Sequence, residues 1–316
     1  MKLTFVILGT SEFDIYSANA ILDNGHQVLA IISMPKKSRP NNSANIEQYA
    51  KKKCIPYHEF LDINSPNSIK ILKQLEPDYI FTSWPKVICK EVLNVPNNFS
   101  IGTHPTALPF NRGRHPLHWV VDLGISETKL SFFKMDEGVD TGNIILQCPF
   151  QIDEGDEIED VNSKMNLVVY DGITILCQKL ISEPNYSGKK QKHKLANYWR
   201  MRTHHDVTID LRMPADSIIK MVRSFALPYP CANLIFDNFV IKIKKVALAK
   251  TDKYLEDLNR IEPGSIISIE SKKITVKAGD VIIELFSIDP LPKVMTLAKY
   301  IHPPSKYIMQ NDIKFD

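Results

Sequence analysis

The chain has 316 residues, of which 44% are apolar and 24% charged, and its formal net charge is +3. This composition is that of an ordinary soluble protein, and the length is sufficient for two domains with buried cores. So small a net charge gives no sign of a nucleic-acid or membrane partner.

Cysteine usage and the start of the chain bear on the compartment. The five cysteines are scattered and lack a Cys-x-x-Cys pair, which argues against a disulfide framework or a zinc site and favours reduced thiols. The chain enters an apolar strand directly, without a charged and apolar leader, and no apolar run approaches the length of a membrane span. We therefore expect a cytoplasmic protein.

The first half of the chain alternates apolar runs with helical patterns. Residues 3–8 and 28–32 predict buried strands, and a helix is expected around residues 15–22, after the turn Gly9-Thr10-Ser11. Further strands are predicted at 78–82, 100–103, 129–135 and 144–148, and helices at 44–53, 65–75, 90–93, 115–123 and 157–182. Continuous apolar strands separated by helices are typical of a mostly parallel sheet covered by helices on both faces. We therefore predict an α/β, Rossmann-like catalytic domain over residues 1–185.

The second half of the chain has a different pattern. Residues 186–205 are polar and lysine-rich and are predicted to be a linker. An amphipathic helix at 214–225 is followed by short alternating runs at 240–247, 265–269, 274–278 and 281–288. Short strands separated by Gly and Asp turns predict a small OB-like β-barrel domain over residues 206–316.

A histidine and an aspartate stand out between residues 100 and 142. His104 follows a predicted strand and precedes a loop with three prolines, and Asp140 lies in a second loop that ends in Thr141-Gly142. Ligands of open α/β sheets bind at the carboxyl ends of the strands, where His104 is expected. The two side chains are a plausible acid–base pair if the fold brings them together.

Three ordered motifs in this stretch resemble those of the folate-dependent formyltransferase family. The first is His104-Pro105-Thr106-Ala107-Leu108-Pro109, the second is Arg112-Gly113 followed by Pro116, and the third is Met135-Asp136-Glu137-Gly138-Val139-Asp140-Thr141-Gly142. Further on, residues 223–230 resemble the sequence that precedes the C-terminal barrel in two-domain members. One position departs from the family pattern, because Gly102 stands where the family has an asparagine in Asn-x-His.

The resemblance implies an N-formyltransferase that uses 10-formyltetrahydrofolate as co-substrate. It implies that His104 and Asp140 are catalytic, and that the pterin is held mainly by backbone at Lys86, Val87, Ile88, Val139 and Asp140. Thr106, Arg112 and Arg114 are expected on the substrate side, where the arginines could pair with phosphate groups or with the folate's glutamate. For Arg114 a structural or solvated role is an equal alternative. No metal site is expected, because His115 and His118 have no third ligand nearby.

The acceptor is predicted to be the amine of an amino-deoxysugar nucleotide, in glycan biosynthesis. Two features favour it. The motif of amino-sugar members is similar to Arg112-Gly113-Arg114-His115-Pro116-Leu117-His118-Trp119. The loop at 34–43 is also shorter than the basic, glycine-containing loop that the tRNA enzyme of the family uses on the acceptor stem. The predicted partner is thus a small molecule rather than a nucleic acid or a membrane, and a homodimer is left open.

Three alternatives to this acceptor are carried forward. Methionyl-tRNA formyltransferase is the first, since the lysines of the linker (Lys189, Lys190, Lys192 and Lys194) and the C-terminal domain would suit tRNA. A hydrolase that releases formate is the second. The third is a non-catalytic folate-binding homologue, disabled by the loss of the asparagine at Gly102.

Overall fold

The computed structural model describes residues 1–40, 43–250 and 258–305. They form two compact units. The first comprises residues 1–116, 127–152 and 161–200, and the second comprises residues 117–126 and 153–160 together with the described part of 201–316. The predicted boundaries at 185 and 205 stay predictions, and two segments that precede the predicted linker group with the second unit.

The first unit is built on a seven-stranded sheet. Its strand order is β3-β2-β1-β4-β5-β7-β8, and a separate two-stranded sheet pairs β6 with β9. The strands are β1 (Thr4–Leu8), β2 (Gln27–Ser33), β3 (Tyr57–Glu59), β4 (Tyr79–Thr82), β5 (Phe99–His104), β6 (Arg112–Gly113), β7 (Glu127–Lys134), β8 (Ile144–Gln151) and β9 (Tyr198–Trp199). Strands β1 to β5 pair in parallel, whereas β7 and β8 pair antiparallel with their neighbours. The predicted mostly parallel sheet is therefore confirmed.

The described residues before position 200 form six α-helices. They are α1 (Glu12–Asp23), α2 (Ile46–Lys52), α3 (Pro66–Leu75), α4 (Lys90–Leu93), α5 (Pro116–Asp122) and α6 (Ile158–Ser182). Helix α3 begins as its sequence predicts: the Ser65 hydroxyl accepts from the Ser68 amide (3.3 Å), and Pro66 occupies the first turn, where its missing N–H has no cost. Short 3₁₀ turns lie at Lys36–Ser38, His193–Leu195, His204–Val207 and Leu258–Arg260.

The central strands are buried along most of their length, which explains their continuous apolar sequence. One core cluster joins residues of β1, β2 and β4 to α3 and α4, and includes Val6, Leu8, Ile32, Ile80, Leu72 and Val92. Because these strands are fixed by burial on both faces, their carboxyl ends are rigidly placed at one edge of the sheet. Strand β5 ends there with His104.

The second unit contains a five-stranded antiparallel sheet of order β10-β11-β14-β13-β12. Its strands are β10 (Ala232–Phe236), β11 (Phe239–Leu248), β12 (Ile266–Glu270), β13 (Lys273–Lys277) and β14 (Ile282–Ser287). Helix α7 (Ala215–Ser224) buries an apolar stripe with Ile218 and Val222 in the core that the sheet provides. The predicted C-terminal β domain is confirmed, but strand β10 was not predicted, because its five fully buried residues show no alternation.

Among the helices of the described residues, none has both the length and the apolarity needed to cross a bilayer.

Candidate active site

His104 is the last residue of β5 and is only 4% exposed. Its ring is held by the loop that follows: Nε2 lies 2.7 Å from the backbone oxygen of Asn111. A carbonyl oxygen can only accept, so Nε2 carries a proton and donates to it. The buried Thr106 hydroxyl stabilises the same loop by donating to the backbone oxygen of Phe110 (2.8 Å).

Asp140 reaches the same site from the loop between β7 and β8. Its Oδ2 lies 3.4 Å from Nδ1 of His104 and accepts a hydrogen bond from the Gly113 amide (2.8 Å). The backbone of Asp140 has φ of 54°, the left-handed region that Asp and Asn tolerate better than most residues. Tertiary folding thus brings together the two side chains that the motifs singled out, 36 residues apart in sequence.

The two ring nitrogens of His104 both face acceptor oxygens. Nε2 donates to a carbonyl, and Nδ1 faces the carboxylate of Asp140 at 3.4 Å, beyond the usual range for a hydrogen bond. A neutral ring can donate from only one nitrogen, whereas an imidazolium can donate from both. In the imidazolium form, the long contact at Nδ1 leaves its N–H available to a further acceptor in the site.

The position of the missing asparagine is filled by two apolar side chains. A Cβ atom on Gly102 would lie 2.8 Å from Cζ of Phe133 and 2.9 Å from Cγ of Met135. Gly102 pairs with Phe133 across the β5–β7 ladder, so the ring stands directly over the glycine. The chain has therefore repacked this place with hydrocarbon, and no polar side chain replaces the asparagine there.

The side-chain oxygens of Thr106 and Asn111, in the loop after His104, have hydrogen-bond partners within the protein. The Thr106 hydroxyl donates to the backbone oxygens of Phe110 and Asn111. The side chain of Asn111 is paired with Asn197, whose Nδ2 donates to Asn111 Oδ1 (2.9 Å). The Nδ2 group of the Asn111 side chain has no acceptor among the described residues, whereas the backbone N–H of Asn111 donates to Asn197 Oδ1 (2.9 Å).

The loop after β4 and the loop of Asp140 both expose apolar side chains. Val87 is 78% exposed and Val139 is 54% exposed, whereas Ile88 is buried in the core of the first unit. Lys86 is exposed, and its ammonium lies 3.4 Å from the backbone oxygen of Leu61. Trp84, in the same loop, is 91% buried, and its indole N–H has no acceptor among the described residues.

The two arginines of the loop have different surroundings. Arg114 is exposed and donates to the backbone oxygen of Pro85 (3.0 Å), next to the loop predicted to hold the pterin. Arg112 is only 1% exposed and contacts three side chains of the predicted linker: Gln191 (2.6 Å), Tyr198 (2.9 Å) and His193 (3.1 Å). The predicted contact of Arg112 with substrate stays a prediction, whereas its bonds within the protein are structural.

Two polar residues of this region were missed by sequence reasoning. Gln191 is 4% exposed and donates to the backbone oxygens of Asp140 and Gly142, yet in sequence it is one polar residue among lysines. Asp14 lies under the turn between β1 and α1, where it accepts from the amides of Thr10 and Ser11. Burial raises the pKa of its carboxyl, which these donors partly offset. An acidic residue at the third position of a helix was the available signal for Asp14.

Comparison with protein families places both units in one family. A model of formyl transferases matches residues 1–173, and a model of the formyl transferase C-terminal domain matches residues 202–302. The two matches together span the catalytic loops and the antiparallel sheet.

Relatives and solved structures agree with this assignment. A methionyl-tRNA formyltransferase of Caldanaerobacter subterraneus subsp. tengcongensis is 28% identical over 90% of the chain and 92% of its own length. One from Desulforamulus reducens is 28% identical over 88% and 87%. In fold, the chain is similar to an N-formyltransferase from Helicobacter canadensis in complex with folinic acid and dTDP-3-aminofucose (TM-score 0.65, 18% identity, 91% and 99% covered).

These findings correct the predicted acceptor. The relatives matched along most of the chain are methionyl-tRNA formyltransferases, whereas the amino-sugar enzyme shares only the fold, so the prediction of an amino-sugar nucleotide is wrong. The exclusion of nucleic acid that came with it has no support from these relatives. The two sequence features that suggested an amino-sugar nucleotide contain arginines that are bonded within the protein, and this is the physical reason for the error. Arg112 is buried in the protein, and Arg39 of the short loop is paired with Glu59 (2.7 Å). Residues 41 and 42 of that loop lie outside the described residues.

Proposed function

The chain belongs to the formyl transferase family, and from this we propose that it transfers the formyl group of 10-formyltetrahydrofolate to the amine of methionyl-tRNA. One observation carries the choice of acceptor: relatives with this activity match the chain from the catalytic unit through the C-terminal sheet, over about nine-tenths of its length.

The surroundings of His104 and Asp140 fit a flat, hydrogen-bonding heterocycle. Val87 and Val139 offer exposed apolar surface in the two loops predicted to hold the pterin, together with the backbone of Lys86, Ile88 and Asp140. The buried indole N–H of Trp84 has no acceptor among the described residues, as expected for a donor reserved for a ligand. When bound there, the co-substrate would supply a formyl group on a nitrogen atom.

His104 and Asp140 can provide the proton transfers and the charge stabilisation that formyl transfer needs. Attack by an amine places negative charge on the formyl oxygen, and the Nδ1–H of protonated His104 is a donor for this charge. Asp140 Oδ2 is occupied by Gly113, but no described residue donates to its Oδ1. The carboxylate can therefore accept the proton that the amine must lose and pass the same proton to the nitrogen of the departing folate.

The predicted linker offers a basic surface next to this site. Lys189, Lys190, Lys192 and Lys194 are all exposed, whereas Gln191 between them is buried against the loop of Asp140. Lysines that flank a residue in contact with the catalytic loop are well placed for the phosphates of an acceptor stem, whose end must reach His104. Net charge alone concealed this feature, because the positive charge is local.

The test is a turnover assay of the purified chain with 10-formyltetrahydrofolate. We expect formylation of methionyl-tRNA, with an apparent affinity for tRNA that falls steeply as salt is raised. Amino-sugar nucleotides serve as the comparison acceptors and should give no turnover. Absence of methionyl-tRNA formylation, with formate or a formylated sugar as product, would refute the proposal.

A further inference from the structure

Arg112 fixes the orientation of the buried side chain of Gln191. Its Nη2 lies 2.6 Å from Oε1 of Gln191, and both residues are at least 96% buried. A guanidinium has no acceptor, so the oxygen of the Gln191 amide must face Arg112. The assignment of oxygen and nitrogen in this amide is therefore determined by its partner rather than arbitrary.

The amide nitrogen of Gln191 consequently points at the loop that carries Asp140. Its Nε2 donates to the backbone oxygens of Asp140 (2.9 Å) and Gly142 (2.6 Å), so both hydrogens of the amide are used. Asp140 has a left-handed backbone, an uncommon conformation that its surroundings must maintain. The two bonds from Gln191 fix the direction of the peptide groups that follow Asp140 and Gly142.

The side chain of Asp140 is held by the residue next to Arg112. The amide of Gly113 donates to Asp140 Oδ2 at 2.8 Å, and Gly113 itself is fixed by pairing with Trp199 in the β6–β9 sheet. A Cβ at Gly113 would lie 2.3 Å from the Trp199 oxygen, so only glycine permits this approach. Arg112, Gln191, Asp140 and Gly113 thus form a closed ring of contacts around the carboxylate that faces His104.

On the basis of the proposed function, we propose that Gln191 is a positioning residue for formyl transfer: it holds the Asp140 carboxylate against His104 from the linker. It touches no reacting atom. Small displacements of a catalytic group are costly in rate, and a shift of about 1 Å can lower turnover on the order of 10²-fold. The linker is therefore part of the catalytic geometry.

The decisive variant is Gln191→Glu, which separates the bond that Gln191 accepts from Arg112 from the two bonds that it donates to Asp140 and Gly142. A carboxylate still accepts from Arg112, but it cannot donate, and it places negative charge against the oxygens of Asp140 and Gly142. We expect kcat to fall on the order of 10²-fold, with much smaller changes in KM. Gln178→Glu is the matched control, because Gln178 is exposed on α6 and the change of charge is the same.

A second measurement reports the position of Asp140 without turnover. Amide hydrogen exchange at Gly113 can be followed by NMR in a glycine-labelled sample, since the chain has only 12 glycines. In Gln191→Glu this amide should exchange faster, because its acceptor is displaced, while the control keeps the rate of the parent. Gln191→Ala should behave likewise and serves if the glutamate variant does not fold.

The outcomes separate this inference from the proposed function. Faster exchange at Gly113 together with a lower kcat supports the positioning role. Unchanged exchange in both folded variants overturns it, whatever the turnover. If the parent does not formylate methionyl-tRNA, the proposed function fails, and the exchange at Gly113 still decides whether Gln191 holds Asp140.

Discussion

His104 is held so that its two ring nitrogens have different roles. Nε2 is committed to the Asn111 oxygen at 2.7 Å, which fixes the plane of the ring, while Nδ1 faces Asp140 with space for a further acceptor. In the proposed reaction, the absence of a polar side chain at position 102 leaves His104 as the main donor to the formyl oxygen. Single substitutions at this site should therefore have large effects on rate and small effects on folding.

Replacing His104 with alanine tests its role directly. We expect kcat to fall more than about 10³-fold, because the main donor to the developing charge is lost. Binding of a folate analogue and the circular dichroism spectrum should remain close to those of the parent. His58→Ala, in strand β3, is the control. A folded His104→Ala variant within about tenfold of parent activity would remove the residue from the mechanism.

Asp140→Asn removes the negative charge at constant size. The asparagine oxygen can still accept from the Gly113 amide, so the loop should keep its conformation while losing its base. We expect kcat to fall at least about 10²-fold. Glu137→Gln is a matched control from the same loop, since Glu137 is exposed and pairs with Lys90 at 2.6 Å. Turnover near that of the control would contradict a role for the carboxylate.

Restoring the family asparagine at position 102 should not restore a second donor. Phe133 and Met135 occupy the space of its side chain, with contacts of 2.8 and 2.9 Å already at the Cβ atom. We expect Gly102→Asn to lower the free energy of unfolding by about 1–3 kcal/mol, the usual effect of overpacking, without a gain in kcat. Denaturant unfolding and turnover of the single variant would show this. A faster and equally stable enzyme would mean that the apolar packing is not the reason for the glycine.

The conformation of the turn between β1 and α1 depends on one side chain, that of Asp14. Asp14 accepts from two backbone amides and from the hydroxyls of Ser11 and Ser83, and a Cβ at Gly9 would lie only 2.0 Å from its Cγ. The carboxylate thus fills the N-terminus of α1, where other α/β proteins bind an external phosphate. The amides of Thr10 and Ser11 therefore bond to a carboxylate of the chain itself rather than to an external anion.

Substitutions of Asp14 should affect stability rather than chemistry. Asp14→Ala leaves two buried backbone amides without an acceptor, and we expect a loss of roughly 2–4 kcal/mol in the free energy of unfolding. Asp14→Asn keeps an oxygen for these amides and should cost less. Urea unfolding of the two variants measures the difference. Equal stability of the alanine variant and the parent would show that water satisfies the junction.

The pH dependence of this junction has a definite sign. Burial raises the pKa of Asp14 above its unfolded value, so as pH falls through this window the folded state takes up a proton before the unfolded state does. The free energy of unfolding of the parent should therefore rise relative to that of Asp14→Asn as pH falls from neutral toward about 4. Unfolding of both proteins across this range, with the difference taken at each pH, isolates the contribution of Asp14.

Across the whole chain the net charge is small, but positive charge is concentrated in one segment. The net charge is +3, yet four exposed lysines fall within residues 189–194, beside a buried glutamine that contacts the catalytic loop. Local concentration of charge, not the total, determines where a polyanion binds. This surface makes the linker both a structural support for Asp140 and the proposed contact for tRNA.

Neutralising Lys189, Lys190, Lys192 and Lys194 together to glutamine tests that contact. We expect a higher KM for methionyl-tRNA and a weaker dependence of binding on salt, by about one unit of slope for each lysine that contacts a phosphate. The control neutralises four exposed lysines elsewhere, Lys51, Lys52, Lys53 and Lys70, with the same change in net charge. The same salt slope in both variants would place tRNA on another surface.

The class of fold, the order of most elements and the meeting of His104 with Asp140 could be predicted from the amino-acid sequence. Buried parallel strands have continuous apolar sequences, which predict them directly. The motifs around His104 and Asp140 are each local in sequence, so they too can be identified before the structure is known. The strands β3, β6 and β9 were not predicted, because two or three residues are too few to show a period. Strand β10 was not predicted, because its five buried residues do not alternate.

The contacts of the buried polar side chains could be identified from the tertiary structure alone. Arg112 reads as a phosphate ligand in its motif, yet it is buried and bonded to Gln191, 79 residues further along the chain. Gln191 in turn reads as a linker residue, yet it holds the loop of Asp140. A hydrogen bond between distant segments leaves no periodicity and no composition signal in either one. The partners of a buried polar side chain are therefore set by how the loops fold together, which the local sequence does not encode.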